Sequence, residues 1–210
     1  MPAKRDFDFE LHRFPSDGIG DLRPYFDQLP LDPYITGAFR RRRFSHFRGP
    51  ADRLERLDHT YFEQSRTVNR LAGGIRREFQ ELEEGLLALP AFRAVVATFI
   101  DFVGIDPLVT EMGVHQIRIL CSPAFSGDPA PEGIHQDGFD HVGIFCVERH
   151  DIVGANTHLY RDKGGPPIFS RALQPGEAVF TNDRTVYHFT DPVRPSADHP
   201  GHRDVFVITA

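Results

Sequence analysis

The pattern of apolar and polar positions along the chain changes character near residue 105. Before this point, apolar residues recur mostly at helical spacing. The spacing predicts helices over residues 21–29, 52–71, 75–87 and 92–102. Gly73-Gly74 is predicted to separate the second of these helices from the third. We therefore expect residues 1–105 to provide a mainly helical support for the rest of the chain.

After residue 105, alternating apolar and polar residues and frequent turn residues replace the helical pattern. About eight short strands are predicted, over residues 114–121, 133–137, 142–149, 152–160, 167–172, 178–181, 185–191 and 203–209. So many short strands in one region favour a double-stranded β-helix, or jelly roll. An immunoglobulin-like sandwich fits the strand count too, but it gives no reason for metal ligands on inner faces.

The predicted fold class is therefore α+β, a jelly roll of about eight strands with an N-terminal helical layer packed on one sheet. At 210 residues the chain can bury one sizeable core, so we expect a single domain over residues 1–210. Within it, residues 106–210 are expected to form the jelly-roll core that carries the functional site.

The charge balance is ordinary, with 24 basic residues against 30 acidic ones and a net charge of −6. This balance gives no support for binding to nucleic acid or to an anionic membrane. The run Arg40–Arg43 is the one basic cluster in the chain. We interpret it as a solvated segment with some substrate-steering effect rather than as a site for a polyanion.

Cysteine usage and the N-terminal residues bear on cellular location. Cys121 and Cys146 lie among strand-like apolar residues, which favours reduced core thiols over a disulfide. Residues 1–9 are charged and lack the apolar stretch of a signal peptide, and no apolar window is long enough to span a bilayer. The cytoplasm is the expected location. An exposed sheet edge or the helical layer can support a homodimer.

Candidate metal chemistry centres on His135, Asp137 and His188. Side chains two residues apart on a strand point to the same face, so His135 and Asp137 can bind one ion together. The later strand that carries His188 can supply a third ligand. Two imidazoles and one carboxylate on one side of a metal, with open positions opposite, are typical of non-haem Fe(II) oxygenases.

The triplet His-x-Asp/Glu alone is a weak signal, because chance gives roughly 1.6 such triplets in a chain of this composition. A second triplet does occur, from His202 to Asp204. Context separates the two, since His135 follows a loop rich in Pro and Gly and precedes Gly138, as expected beside an open site. If Arg203 points inward on the final strand, His202 and Asp204 point away, and we expect them to be surface or rim residues. Arg203 then offers a bidentate partner for a carboxylate cosubstrate.

These residues together resemble the Fe(II)/2-oxoglutarate-dependent dioxygenases, whose double-stranded β-helix carries a His-x-Asp, a distal His and an Arg. More narrowly, the segments 115–118, 131–138 and 182–185 are similar to a bacterial subfamily that contains hydroxylases of free L-amino acids such as isoleucine. The similarity covers roughly residues 114–210, and the earlier part matches only loosely through Gly73-Gly74. Residues 154–157 depart from the more Gly-rich segment expected there.

The resemblance implies roles for four residues. His135, Asp137 and His188 would bind Fe(II) as the catalytic centre, and Arg203 would bind the far carboxylate of 2-oxoglutarate. O2 would be the second cosubstrate, and succinate and CO2 would be released.

Three further residues are candidates for binding small molecules. Arg118 lies on an otherwise apolar strand, where an inward arginine must be paired. It can hold a substrate carboxylate or 2-oxoglutarate, or it can form a structural ion pair with Glu132 or Glu177. Glu132 can accept a hydrogen bond from a substrate ammonium group, or it can be a solvated loop residue. Gln116, on the face of Arg118, can bind cosubstrate or make an ordinary hydrogen bond within the strand region.

The resemblance therefore implies a hydroxylase of a small free L-amino acid, with an aliphatic substrate preferred, and we expect no nucleic-acid or membrane partner. A non-catalytic, cupin-like module that binds a metal and a carboxylate remains an alternative, and so does an oxygenase that acts on a peptide. A zinc hydrolase is a further alternative, since two His and one Asp also suit zinc. Against it, no general base is evident beside the triad and Arg203 would lack a purpose.

Overall fold

The computed structural model describes residues 7–66 and 73–210. The strands, in chain order, are β1 (Phe9–Arg13), β2 (Arg40–Arg48), β3 (Glu55–Arg56), β4 (Met112–Cys121), β5 (His141–His150), β6 (Ile152–Gly154), β7 (Thr157–Tyr160), β8 (Phe169–Arg171), β9 (Glu177–Asn182), β10 (Tyr187–Thr190), β11 (Val193–Pro195) and β12 (Gly201–Thr209). The helices are α1 (Ile19–Leu22), α2 (Glu84–Ala88) and α3 (Pro90–Val103), with 3-10 turns at Arg23–Phe26 and Ala51–Arg53.

The strands form one large antiparallel sheet and two small ones. The large sheet has seven strands in the order β1-β9-β5-β12-β4-β2-β3. Opposite it lie a sheet of three strands, β10-β7-β8, and a pair, β11-β6. Isolated backbone bridges, His135 with His188 and Gly127 with Val193, tie the loop after β4 to the small sheets. This arrangement confirms the predicted jelly roll.

The large sheet is apolar on both faces, because it is covered on both sides. On β5, Phe145 joins a core cluster that also includes Phe99 of α3, whereas Ile144 joins a second cluster that includes Leu159 of the small sheet. Helix α3 therefore packs on the outer face of the large sheet, as the predicted helical layer requires. The helix starts with Pro90 at its first position and ends at Gly104, which adopts a left-handed conformation with φ of 69°.

Two of the four predicted helices are confirmed and two are wrong. Helical turns occupy 19–26, and α3 covers the segment predicted at 92–102. The helix predicted over 52–71 is absent from 52–66, where the chain forms a 3-10 turn and β3, and its remainder lies outside the described residues. In the segment predicted at 75–87, only α2 at the end is helical.

Backbone pairing with neighbouring segments explains these two errors. The N–H of Phe62 donates to the carbonyl of Arg77 at 2.8 Å, the reciprocal bond is 3.0 Å, and the N–H of Phe44 on β2 donates to the carbonyl of Gln80 at 3.0 Å. The apolar spacing of these segments thus serves an extended layer against β2, because tertiary pairing outweighs weak helical propensity. The part of the chain before residue 105 is consequently less helical than predicted and supplies β1, β2 and β3.

The predicted strands after residue 105 are present with two changes. The strand predicted over 152–160 is divided into β6 and β7. The segment 133–137 is a loop held by the single bridge between His135 and His188 rather than a strand. Cys121 and Cys146 are buried and unpaired, as predicted. None of the helices among the described residues has the length and apolar character needed to cross a membrane.

Candidate active site

His135, Asp137 and His188 converge at the mouth between the two sheet layers. One ligand atom from each of the three lies within 4.8 Å of the other two. His135 Nε2 is 3.6 Å from Asp137 Oδ1, and His188 Nε2 is 3.5 Å from Asp137 Oδ2. Donor atoms that share one first-row metal ion, at about 2.1 Å each, are separated by roughly this distance. The three side chains can therefore bind one metal ion from the same side.

The backbone holds the two histidines in register. The N–H of His135 donates to the carbonyl of His188 at 3.0 Å, and the reciprocal bond is 2.8 Å. His135 Nδ1 lies 2.8 Å from the carbonyl oxygen of Gly133, so this nitrogen donates and Nε2 is left for a metal. Gly133 and Gly138 have φ values of 79° and 86°, which favour glycine at both ends of the loop.

Asp183 fixes the loop that presents Asp137. Its buried carboxylate accepts hydrogen bonds from the backbone N–H groups of Asp137, Gly138 and Phe139, at 3.2, 2.8 and 3.2 Å. Its Oδ1 also lies 3.6 Å from His188 Nδ1. One side chain in the turn before β10 thus fixes the loop that carries Asp137 and lies beside His188. A partner of this kind orients metal ligands in many proteins.

The cluster is built to hold positive charge. Burial opposes ionisation of Asp137, but His188 and His135 outweigh it and hold the pKa of Asp137 well below its usual range. Burial likewise disfavours the charged form of His135, but Asp137 and then Glu132 outweigh it and raise the pKa of His135 to about 9. A metal cation can replace that proton, because ligand binding to a metal and protonation of the same nitrogen compete.

Glu148, His202 and Asp204 form a second cluster of potential ligand atoms within 4.8 Å. Its carboxylates already have cationic partners. Both oxygens of Asp204 accept hydrogen bonds from the guanidinium of Arg118, at 2.7 Å each, and Glu148 pairs with Arg23 at 3.4 Å. This cluster is therefore an ion-pair network on the helical side of the sheet rather than a site with open ligand positions.

Arg203 faces the same cavity as the three potential metal ligands. The cavity has a volume of about 360 Å³. Arg203 is 2% exposed, and its Nε and Nη2 have no hydrogen-bond partner among the described residues. Burial lowers the pKa of Arg203. An unpaired guanidinium is costly to bury, so a carboxylate ligand from outside the protein fits this position.

The structure corrects the roles expected for Gln116 and Arg118. Both side chains lie on the face of β4 that turns away from the cavity, whereas His115, Ile117 and Ile119 line it. Gln116 donates to the carbonyl of Tyr25 at 2.9 Å. Arg118 is a structural ion-pair residue, as one of the alternatives held, but its partners are Asp204 and Asp27 instead of Glu132 or Glu177.

Glu132 does lie in the cavity wall, with Oε1 3.3 Å from His135 Nε2. It is therefore placed beside the metal-binding cluster and not in a solvated loop away from it. His202 is partly buried and Asp204 is fully buried, so the expectation that both are surface or rim residues fails for Asp204.

Sequence reasoning missed the basic residues that line the cavity. The run Arg40–Arg43 forms the start of β2, and its alternate members Arg40 and Arg42 are buried facing the cavity. The interpretation of this run as a solvated segment is therefore wrong for these two residues. Arg77 and Gln64, from the paired segments before and after the undescribed residues, complete this wall. Alternation along a strand of four arginines was the one available signal.

Comparisons with known proteins agree with this fold and site. A family model described as 2OG-Fe dioxygenase matches residues 23–209. No curated protein matches the chain significantly. A crystal structure of a bsmA homolog from Methylobium petroleophilum PM1 superposes with a TM-score of 0.83 at 27% identity, over 98% of this chain and 88% of that one.

Two further solved structures share the fold at lower identity. IDO from Bacillus thuringiensis has a TM-score of 0.75 at 16% identity, covering 91% of this chain and 84% of that one. An oxidoreductase of the 2OG-Fe(II) oxygenase family from Burkholderia pseudomallei has a TM-score of 0.55 at 16% identity, covering 98% and 85%.

The converging histidines and aspartate, the unpaired buried arginine and the match over most of the chain define the class: the chain belongs to the 2OG-Fe dioxygenase family. It is accordingly a 2-oxoglutarate-dependent non-haem iron dioxygenase, and Fe(II), 2-oxoglutarate and O2 are the cofactor and cosubstrates of its family. Family membership argues against the zinc hydrolase and the non-catalytic cupin-like module.

Proposed function

We propose that the protein hydroxylates a small free L-amino acid, with 2-oxoglutarate converted to succinate and CO2. Three groups of residues support this assignment. His135, Asp137 and His188 would hold Fe(II), Arg203 would bind the far carboxylate of 2-oxoglutarate, and Glu132 would accept a hydrogen bond from the substrate ammonium group. When bound, the iron supplies the oxidising chemistry that inserts one oxygen atom into a carbon–hydrogen bond.

The observation that carries the proposal concerns Arg203, whose Nε and Nη2 have no hydrogen-bond partner in the described part of the chain and which lies in the cavity that the metal cluster also lines. A dicarboxylic cosubstrate satisfies this charge and reaches the metal with its other end. Glu132 then remains as an acidic group beside the cluster, which suits a cationic substrate group. The residues themselves orient the two small molecules and exclude water from between them.

The size of the cavity favours a free amino acid over a peptide. About 360 Å³ is at the lower end of the volumes that hold small molecules, and part of it is taken by the cosubstrate. The bacterial amino-acid hydroxylases that the segment 131–138 resembles act on substrates of this size. An aliphatic side chain fits the apolar wall that Ile117, Ile119 and Val207 provide.

A screen of the twenty L-amino acids tests the proposal. The protein is loaded with Fe(II) and 2-oxoglutarate in air, and succinate and the mass of the amino acid are measured. At least one amino acid should stimulate succinate formation and gain one oxygen atom. Short peptides that contain the same residue should not. Turnover of a peptide with no turnover of any free amino acid would refute the substrate assignment.

The ligand assignment has a matched control in the second cluster. Asp137→Ala should abolish both iron binding and turnover, because it removes one of three metal ligands. His202→Ala removes a histidine from the cluster of Glu148, His202 and Asp204 and should leave both in place. Iron retained by Asp137→Ala and lost by His202→Ala would show that the metal centre is assigned to the wrong cluster.

A further inference from the structure

Two buried guanidiniums in the cavity wall have no acidic partner among the residues that the structure describes. Arg42 on β2 is 6% exposed and Arg77 is 3% exposed, and both line the cavity. The Nε of each has no hydrogen-bond partner, and neither forms an ion pair with a carboxylate of the described residues. The neighbouring Arg40 differs, since its Nε donates to Asp32 at 2.8 Å. Neither guanidinium is therefore bonded directly to a carboxylate, although, against the larger effect of burial, Asp137 raises the pKa of both arginines and Glu132 raises that of Arg77.

Neutral groups hold these two guanidiniums in place. Nη2 of Arg42 lies 2.7 Å from His115 Nδ1, and Nη2 of Arg77 donates to Gln64 Oε1 at 2.8 Å. The ring of Phe62 contacts both, with its centroid 5.2 Å from Cζ of Arg42 and 4.7 Å from Cζ of Arg77. The side chains are thus fixed without losing their charge, as a preorganised anion site requires.

The electrostatics of the wall agree with this geometry. Burial, followed by the nearby Arg40, lowers the pKa of Arg42 to about 9, and burial also lowers the pKa of Arg77. Burial and the adjacent Arg42 hold the pKa of His115 well below its usual value, so its ring is a neutral acceptor at pH 7. Both arginines remain charged at neutral pH, and a bound anion would relieve their repulsion and unsatisfied hydrogen bonding.

The number of guanidiniums that line the cavity is sufficient for two anionic ligands. Once Arg40 is paired with Asp32, three lining guanidiniums remain, those of Arg42, Arg77 and Arg203. One diacid cosubstrate uses Arg203 and the metal. Arg42 and Arg77 then remain without a carboxylate partner in the described part of the chain, on a part of the wall built from β2 and from the paired segment around Phe62.

We propose that Arg42 and Arg77 form a carboxylate subsite for the substrate that is oxidised, separate from the cosubstrate site at Arg203. The inference rests on the proposed function and makes it more specific: a substrate with a free carboxylate is favoured over its amide and over an internal peptide residue. Gln64 links this subsite to the metal cluster, because its Nε2 donates to the backbone oxygen of Asp137 at 3.0 Å while its Oε1 accepts from Arg77.

Kinetics with acid and amide substrates test the subsite. For any free L-amino acid that is turned over, its carboxamide should be at least about 10-fold poorer in kcat/KM with the unchanged protein, since charge-assisted hydrogen bonds are lost. Arg42→Gln and Arg77→Gln should each raise the KM for the acid by about 10- to 100-fold and abolish its advantage over the amide. The KM for 2-oxoglutarate should change less than about threefold, and Arg42→Lys should recover part of the loss.

Arg41→Gln is the matched control. Arg41 is the next residue on β2, is half-buried on the opposite face, and donates to the carbonyl of Leu29 at 2.9 Å. Its substitution removes the same charge from the same strand and should leave the acid-to-amide ratio unchanged. An equal loss in Arg41→Gln, or an acid-to-amide ratio that Arg42→Gln and Arg77→Gln do not alter, would overturn the inference while the hydroxylase function stands.

A binding measurement keeps the inference testable if no amino acid is hydroxylated. With Mn(II) and 2-oxoglutarate bound, the Tm is measured with each of the twenty L-amino acids and with its carboxamide. Stabilisation by acids alone, lost in Arg42→Gln and Arg77→Gln and kept in Arg41→Gln, supports the subsite even where the proposed reaction fails. Retained stabilisation by 2-oxoglutarate confirms that the variants are folded. No stabilisation by any acid, together with no turnover, overturns the subsite.

Discussion

Replacing Arg203 with methionine should weaken cosubstrate binding and at the same time stabilise the ligand-free protein. Arg203 is 2% exposed, and its Nε and Nη2 have no hydrogen-bond partner among the described residues. A methionine of comparable reach removes the buried charge and keeps much of the apolar packing. The two effects have opposite signs, because the same unpaired guanidinium is costly without a ligand and useful with one.

The magnitude follows from those two donors. Two charge-assisted hydrogen bonds to a carboxylate contribute about 1.5 kcal/mol each at the low end of their range, so about 3 kcal/mol or roughly 150-fold in 2-oxoglutarate affinity should be lost. Replacing a buried charge by a well-packed apolar side chain is neutral or stabilising by about 1 to 4 kcal/mol. The free energy of unfolding without ligands should therefore stay constant or rise by about that amount.

Calorimetric titration with 2-oxoglutarate in the presence of Mn(II), and urea unfolding of the ligand-free protein, measure the two quantities. Arg118→Met is the matched control on the other face of the large sheet, where Arg118 is paired through two hydrogen bonds with the buried Asp204. Breaking that pair should cost about 3 to 5 kcal/mol of stability and leave 2-oxoglutarate affinity unchanged. If Arg203→Met loses stability as Arg118→Met does and binds 2-oxoglutarate normally, Arg203 is structural and the reasoning is refuted.

Two further predictions concern residues around the site and at the far end of the large sheet. Asp183→Asn should lower metal affinity by about 10-fold or more without removing any ligand, because the charged acceptor of three backbone N–H groups is lost. Titration of the variant and of the unchanged protein with Mn(II) measures the two affinities. Equal affinities would contradict this prediction. Arg171 above all holds the pKa of Glu177 at about 2, below its unfolded value, so the stabilisation from this carboxylate is present above about pH 4.5 and is lost as the pH falls toward 2. The difference in urea stability between the unchanged protein and Glu177→Gln should therefore shrink between pH 6 and pH 3, at about the pH values where the unfolded carboxyl titrates; a constant difference would contradict it.

The sequence alone was sufficient for the parts of the site that strand alternation defines. Turn residues and motif spacing grouped His135, Asp137, His188 and Arg203, which all line one cavity. Strand parity applies only to His188 and Arg203, because His135 and Asp137 lie in a loop rather than on a strand. The jelly roll followed from the same alternation. These inferences needed no knowledge of which distant segments pair.

Where both faces of a strand are buried, side-chain parity could not predict which face lines the cavity. On β4, nearly every residue is buried, so Gln116 and Arg118 carry no sequence signal that tells the cavity face from the helical face. The helix predictions around Phe62 and Arg77 failed for a related reason, since the extended conformation of these residues depends on pairing with neighbouring segments rather than on local propensity. Alternation within the run Arg40–Arg43 separates its members into two faces, but which face lines the cavity, and that Arg77 joins it, could be identified only from the fold.

The four consecutive arginines of β2 do not define the register of this strand against β4, so other residues must define it. Because side chains alternate between the faces of a sheet, sliding β2 by one residue against β4 would substitute one arginine for another in the wall. Because its four residues are identical, the run itself does not disfavour the shifted register. The aromatic ring of Phe44, stacked on His115 at 4.2 Å, and the pairing of Arg40 with Asp32 distinguish the correct alignment. Errors of alignment in this strand should thus arise from changes at Phe44 or Asp32 more readily than from changes within the repeat.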